Sequence, residues 1–258
     1  MGKTGEHYRS QNWLHASPLL SRVFADSGID GMSRVARLYC TVVIGIAATI
    51  LLYTLLHLQP TDRVRLVVYI LAAAVLATIK LRIPGLTATV SGACIVIFTG
   101  VAGLSIGETV LIGFAAGVAQ CLWSPTHTPR PVQVIFSLAT LVISSAVTYS
   151  CYHLLASATP ARSPSVLILG EAAIYFLTNT ALIAGVLAVT EIRPPLHIWA
   201  QLYLWTLPHY AIFAILGAFI NDTTPNANWL LWLCAMPVVF YINHARMVRA
   251  QHRPIHQT

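Results

Sequence analysis

Between residues 37 and 246 the chain returns again and again to apolar runs about as long as a membrane is thick, and this rhythm restricts its folds more than any motif does. The runs fall at 37–58, 64–80, 86–104, 107–123, 132–156, 165–190, 196–220 and 228–246. A helix crossing the hydrocarbon layer needs about 20 apolar residues. The pattern therefore predicts an all-α, polytopic integral membrane helical bundle of about eight transmembrane helices. The breaks are rich in residues that end helices, as in Gln59-Pro60-Thr61-Asp62, Arg82-Ile83-Pro84-Gly85 and Arg193-Pro194-Pro195. Proline lacks a donor, glycine frees φ, and Asn and Asp hydrogen-bond to their own backbone.

Composition agrees. Of 258 residues, 57% are hydrophobic and 9% charged, whereas a soluble domain carries about a quarter charged residues. The expected organisation is a polar cytoplasmic segment over 1–36, a transmembrane domain over 37–246 and a basic cytoplasmic tail over 247–258. The first thirty residues lack the short apolar core and cleavage site of a secretory signal, so the first run is read as an anchor. Within that segment, Ser17-Pro18-Leu19-Leu20 carries an N-cap residue followed by proline. It has two readings, a short amphipathic turn on the membrane surface or part of a disordered tail.

The net charge is +7, yet the basic residues sit at chain ends and in loops rather than in a stripe that could track phosphates. Membrane lipid is the expected partner, and nucleic acid is not. With eight spans, one side collects Arg34, Arg37, Lys80, Arg82, Arg130, Arg193, Arg246, Arg249 and Arg253, against Arg63, Arg65 and Arg162 on the other. That bias places both termini in the cytoplasm, in a cell inner membrane. The five cysteines lie in or beside apolar runs without CxxC spacing, a pattern of small apolar fillers. No disulfide, metal centre or cofactor is expected.

Gly107-Glu108 followed by Arg130-Pro131 is matched, at one constant offset, by Gly170-Glu171 followed by Arg193-Pro194. Read as a repeat, each unit is a helix pair and the two units run parallel, an arrangement that frames substrate sites in transporters. Read as chance, it is one more match between apolar segments. Gly103-x-x-x-Gly107 and Gly113-x-x-x-Gly117 are spaced for close helix packing.

Candidate ligand-binding residues are Glu171, Tyr175, Asn179, Glu108 and Gln120. Glu171 falls about two turns inside the sixth span, where a carboxylate normally faces a cavity or a partner. A ligand or proton site and a hydrogen bond to a neighbouring helix stand side by side as its readings. Tyr175 and Asn179 follow it at i+4 and i+8, giving one polar stripe on an apolar helix. Glu108 sits in Ser105-Ile106-Gly107-Glu108, the spacing of a capping box, which explains it without a ligand. Gln120, like Gln133 and Gln201, suits interhelical hydrogen bonds of about 1 kcal/mol. His57, His153 and His209 fall near span ends and read as interfacial. The run Trp199, Tyr203, Trp205, His209, Tyr210 reads as an interfacial belt or a pocket lining. No hydrolase, nucleotide-binding, zinc-protease or haem motif is present. Only one convincing acid/base group can be named, so no catalytic residue is assigned.

Several short strings together, among them Arg82-Ile83-Pro84-Gly85-Leu86-Thr87, Leu104-Ser105-Ile106-Gly107-Glu108, Gln120-Cys121-Leu122-Trp123, Arg130-Pro131-Val132-Gln133 and Tyr175-Phe176-Leu177-Thr178-Asn179-Thr180, carry a resemblance. Over residues 80–215 the chain resembles the polytopic membrane modules found ahead of GGDEF or HD-GYP output domains in bacterial signalling proteins. It departs from them at Ser137, where Asn is expected, and in stopping at Thr258. The resemblance implies a non-enzymatic membrane sensor holding a small lipophilic ligand, either stand-alone or read out by a separate cytoplasmic output protein. The rival expectations are a secondary transporter or its substrate-binding subunit, an intramembrane transferase, and a structural subunit of a membrane complex.

Overall fold

The computed structural model describes residues 33–60, 62–78, 80–82, 89–123, 131–158, 164–191, 194, 196, 199–200 and 203–222. Among these are seven α-helices: α1 Arg34–Leu56, α2 Arg63–Ala77, α3 Ala93–Gly103, α4 Ile106–Leu122, α5 Pro131–Ala158, α6 Pro164–Glu191 and α7 Leu207–Asp222. Between α2 and α3, strands β1 Lys80–Arg82 and β2 Thr89–Ser91 pair antiparallel, with Leu81 opposite Val90. The polar segment over 1–32, the run at 228–246 and the tail over 247–258 lie outside the described residues.

The helices begin where the sequence supplies an acceptor or a proline. Ser33 caps α1 by accepting from the Ala36 amide at 3.2 Å. Asp62 caps α2, taking the Val64 and Arg65 amides at 2.9 and 3.1 Å. Helices α5 and α6 open on Pro131 and Pro164, whose fixed φ suits the first helical position.

This is a helical membrane protein by length and composition: among the described residues three helices, α1, α5 and Pro164–Thr190 of α6, are long and apolar enough to cross a membrane. That is fewer than the eight expected. Helix α2 has 15 residues, α4 has 17 and α7 has 16, each short of a full crossing by itself. The third expected span, 86–104, is corrected most. Its early residues Thr89–Ser91 form β2, and the helix is reduced to the 11 residues of α3. A β-branched Thr-Val pair favours extended backbone.

Although short, α3 is central. Every residue from Ala93 to Val101 is buried, which suits a helix apolar on all sides. Around it Tyr69 and Leu76 of α2, Ile112 of α4, Tyr175 and Phe176 of α6 and Phe213 of α7 form one core cluster. A second, with Cys40 and Val43 of α1, Val110 of α4, Phe136, Val142 and Ile143 of α5 and Val186 of α6, fastens α1 to the bundle.

Successive helices alternate in direction. Gly103 at the end of α3 lies against Arg65 at the start of α2 and Asn221 at the end of α7. Gly107 at the start of α4 meets Thr54 and Leu58 at the end of α1. These termini share one end of the bundle, and His153, late in α5, joins them through its 3.0 Å contact with the Val101 carbonyl. At the opposite end Tyr39, early in α1, donates to the Leu182 carbonyl of α6 at 3.0 Å.

Candidate functional site

The first two residues of the expected stripe are at the centre of α6's packing. Glu171 is 2% exposed and Tyr175 fully buried. At about 1.5 Å per residue, Glu171 lies about 10 Å from the start of the helix. Its Oε1 makes no hydrogen bond within the protein. Leaving a buried acceptor unpaired costs about 1–3 kcal/mol, and more for a charged one. Tyr152 of α5 stands within electrostatic reach of the carboxyl.

The Tyr175 hydroxyl also makes no well-formed hydrogen bond. Its neighbour there is the Cys94 thiol, a weak donor. The Tyr175 ring is held edge-on against Phe98 at 5.3 Å and tilted against Tyr210 at 5.9 Å. Asn179, half-buried, donates to the Tyr210 hydroxyl over a long 3.5 Å. The aromatic run turns inward here: Tyr210 is buried, and the Trp199 indole donates to Thr180 at 2.8 Å. Core packing, rather than an interfacial belt, describes Trp199 and Tyr210.

Sequence reasoning missed three hydroxyls on the neighbouring helix. Ser144, Ser145 and Thr148 of α5 are fully buried, and their hydroxyls make no hydrogen bond within the protein. Most buried hydroxyls in helices bond back to a carbonyl one turn earlier, as Thr99 does to Ile95 and Thr180 to Phe176. These three do not. Ser145, Thr148 and Tyr152 lie at i, i+3 and i+7, on one face of α5. At one end of that face Ser145 packs against Gly113 of α4, and Tyr152 stands at the other. The spacing was visible in the sequence, but each hydroxyl alone looks like ordinary helix filler.

Glu108 is 1% exposed and does form the capping box. Its Oε2 accepts from the Ser105 amide at 2.9 Å and the Ser105 hydroxyl at 2.8 Å. The second oxygen, Oε1, is buried without a partner. The two glutamates thus differ locally: Glu108 falls in the first turn of its helix and Glu171 well inside its own. Gln120 is half-buried near the far end of α4, about 18 Å along the helix from Glu108, and the structure does not bring it to the glutamate end.

A separate cleft of about 760 Å³ opens between α1, the α3–α4 corner and α5. None of the five candidate residues lines it. Its walls include Tyr53, Thr54 and His57 of α1, Ser105 and Gly107 at the corner, and Val147 of α5.

Comparison with protein-family profiles, curated proteins and solved structures finds no match to this chain. The chemistry has to be read from the residues alone. Buried oxygens on α4, α5 and α6 retain unused hydrogen-bonding capacity inside an apolar bundle. The carboxyl groups can accept or carry a proton, the hydroxyls can donate or accept, and aromatic rings flank one end.

Proposed function

We propose that this chain is a membrane-embedded sensor or small-molecule-binding module without catalytic activity of its own. The observation that carries the reading is Glu171: a carboxyl buried within a membrane-length helix, with one oxygen unpaired by the protein. A leucine would be cheaper at that position. The ligand that fits is small and lipophilic, with a donor for Glu171 and hydrogen-bonding groups for Thr148 and Tyr175. The resemblance to sensor modules of GGDEF and HD-GYP signalling proteins supports the same reading, with a separate cytoplasmic output protein as the partner that reads out binding.

The finer topology belongs to this proposal: about eight spans in a bacterial inner membrane, with both termini cytoplasmic. Apolar residues on the outer faces of the short helices support it. Val67, Leu71 and Val75 of α2 and Ile212, Ile215 and Phe219 of α7 are exposed at helical spacing, as lipid-facing stripes would be.

A thermal-shift screen of lipophilic compounds in detergent tests the function. Hits are expected to stabilise the native protein and to lose that effect in Glu171→Gln. Hits that stabilise both proteins equally would contradict the reading. The second reading is a proton-coupled secondary transporter, favoured by two buried glutamates on α4 and α6, which run in the same direction. Uptake into proteoliposomes driven by a proton gradient would favour it over a sensor.

A further inference from the structure

The cleft beside α1 is built differently from the glutamate site. On α1 it is lined by Thr49, Ile50, Tyr53 and Thr54, a stripe along one helix face, and just past the helix end by His57 and Leu58. Thr49 to Leu56, where the helix ends, span about 10 Å. The deep part is apolar, with Ile50, Ala146 and Val147, and the polar groups His57, Gln59 and Ser105 gather at the end where α1 stops and α4 starts. The groove is continuous with an apolar outer face: Leu52, Leu55 and Leu56 of α1 are all more than half exposed. In a helix that crosses a membrane, hydrocarbon chains are the solvent of that face.

His57 fixes what the polar end recognises. Its Nδ1 lies 2.9 Å from the Tyr53 carbonyl oxygen, and its ring stacks on Tyr53 at 4.4 Å. A carbonyl oxygen only accepts, so Nδ1 carries the hydrogen, and in the neutral ring Nε2 is left as an acceptor. The neutral side chain lining the groove therefore offers an acceptor.

We infer that the groove between α1 and α5 binds one acyl chain of a membrane phospholipid whose headgroup donates a hydrogen bond to His57 Nε2. Phosphatidylethanolamine, with its ammonium donors, has that chemistry, and phosphatidylcholine lacks it. The site is independent of Glu171, and its occupation would couple the membrane's headgroup composition to the packing of α1 on the α4 corner.

The test is lipid retention by the full chain, measured by native mass spectrometry at mildly alkaline pH. The probes are phosphatidylethanolamine and phosphatidylcholine with identical acyl chains. The native protein is expected to retain phosphatidylethanolamine about fivefold better, as one added hydrogen bond of about 1 kcal/mol implies. His57→Gln keeps an acceptor and should keep the preference. His57→Phe, at an exposed helix end, should bind the two lipids equally, and Val147→Trp should lose both by filling the groove. Equal retention by the native protein, a preference that survives His57→Phe, or unchanged binding by Val147→Trp would overturn the inference.

Discussion

At the scale of single residues, the informative contrast is between hydroxyls and carboxyls that are paired and those that are not. The Ser105–Glu108 capping box joins the α3–α4 corner through three hydrogen bonds. Removing the Ser105 hydroxyl takes away the amide cap and one partner of Glu108 Oε2. Ser105→Ala is expected to lower stability by about 1–2 kcal/mol, read from unfolding in mixed micelles, with Ser105→Thr recovering most of it. An Ala variant as stable as the native protein would show that the box does not hold the corner. Ser-x-x-Glu before an apolar run made this interaction legible in the sequence. The buried hydroxyls of α5 were not legible, because whether Ser145 or Thr148 bonds to its own helix is decided by rotamer and tertiary contact. The cleft was invisible for the same reason, since its walls come from segments as distant as Thr49 and Cys151.

At the scale of elements, apolar runs translated well into helices where the run was long and uninterrupted. The expected 107–123 became Ile106–Leu122 and 132–156 became Pro131–Ala158. The run at 86–104 did not, because hydropathy alone cannot separate a short strand from a short helix. Packing between elements makes a sharper prediction. A Cβ at Gly217 of α7 would lie 3.0 Å from the Thr99 backbone nitrogen and 3.1 Å from the Ile95 carbonyl oxygen of α3. Backbone atoms in a buried helix cannot step aside. Gly217→Leu is expected to cost about 1–3 kcal/mol or more through overpacking. Gly45 of α1 has nothing within 4 Å of the same position, so Gly45→Ala should stabilise by about 0.5–1 kcal/mol. The same unfolding assay checks both, and equal effects at the two glycines would contradict the close contact of α7 on α3.

At the scale of the whole molecule, alternating helix directions give the bundle two distinct ends. Gln59 and Ala158 belong to one end, Thr78 and Trp123 to the other. Single cysteines placed there, in a background with the five native cysteines replaced by alanine, should divide into two groups under a membrane-impermeant thiol reagent. With cytoplasmic termini, Gln59→Cys and Ala158→Cys react from outside the cell, and Thr78→Cys and Trp123→Cys only after permeabilisation. Mixed behaviour within either pair would contradict the alternation. The central claim is that the bundle holds a ligand against an unpaired carboxyl, and a high-resolution structure of the protein purified in native lipid tests it most directly. Non-protein density is expected within hydrogen-bonding distance of Glu171 Oε1, reaching also Thr148 or Tyr175. Oε1 paired to a side chain of a neighbouring helix, with no density between α5 and α6, would contradict it.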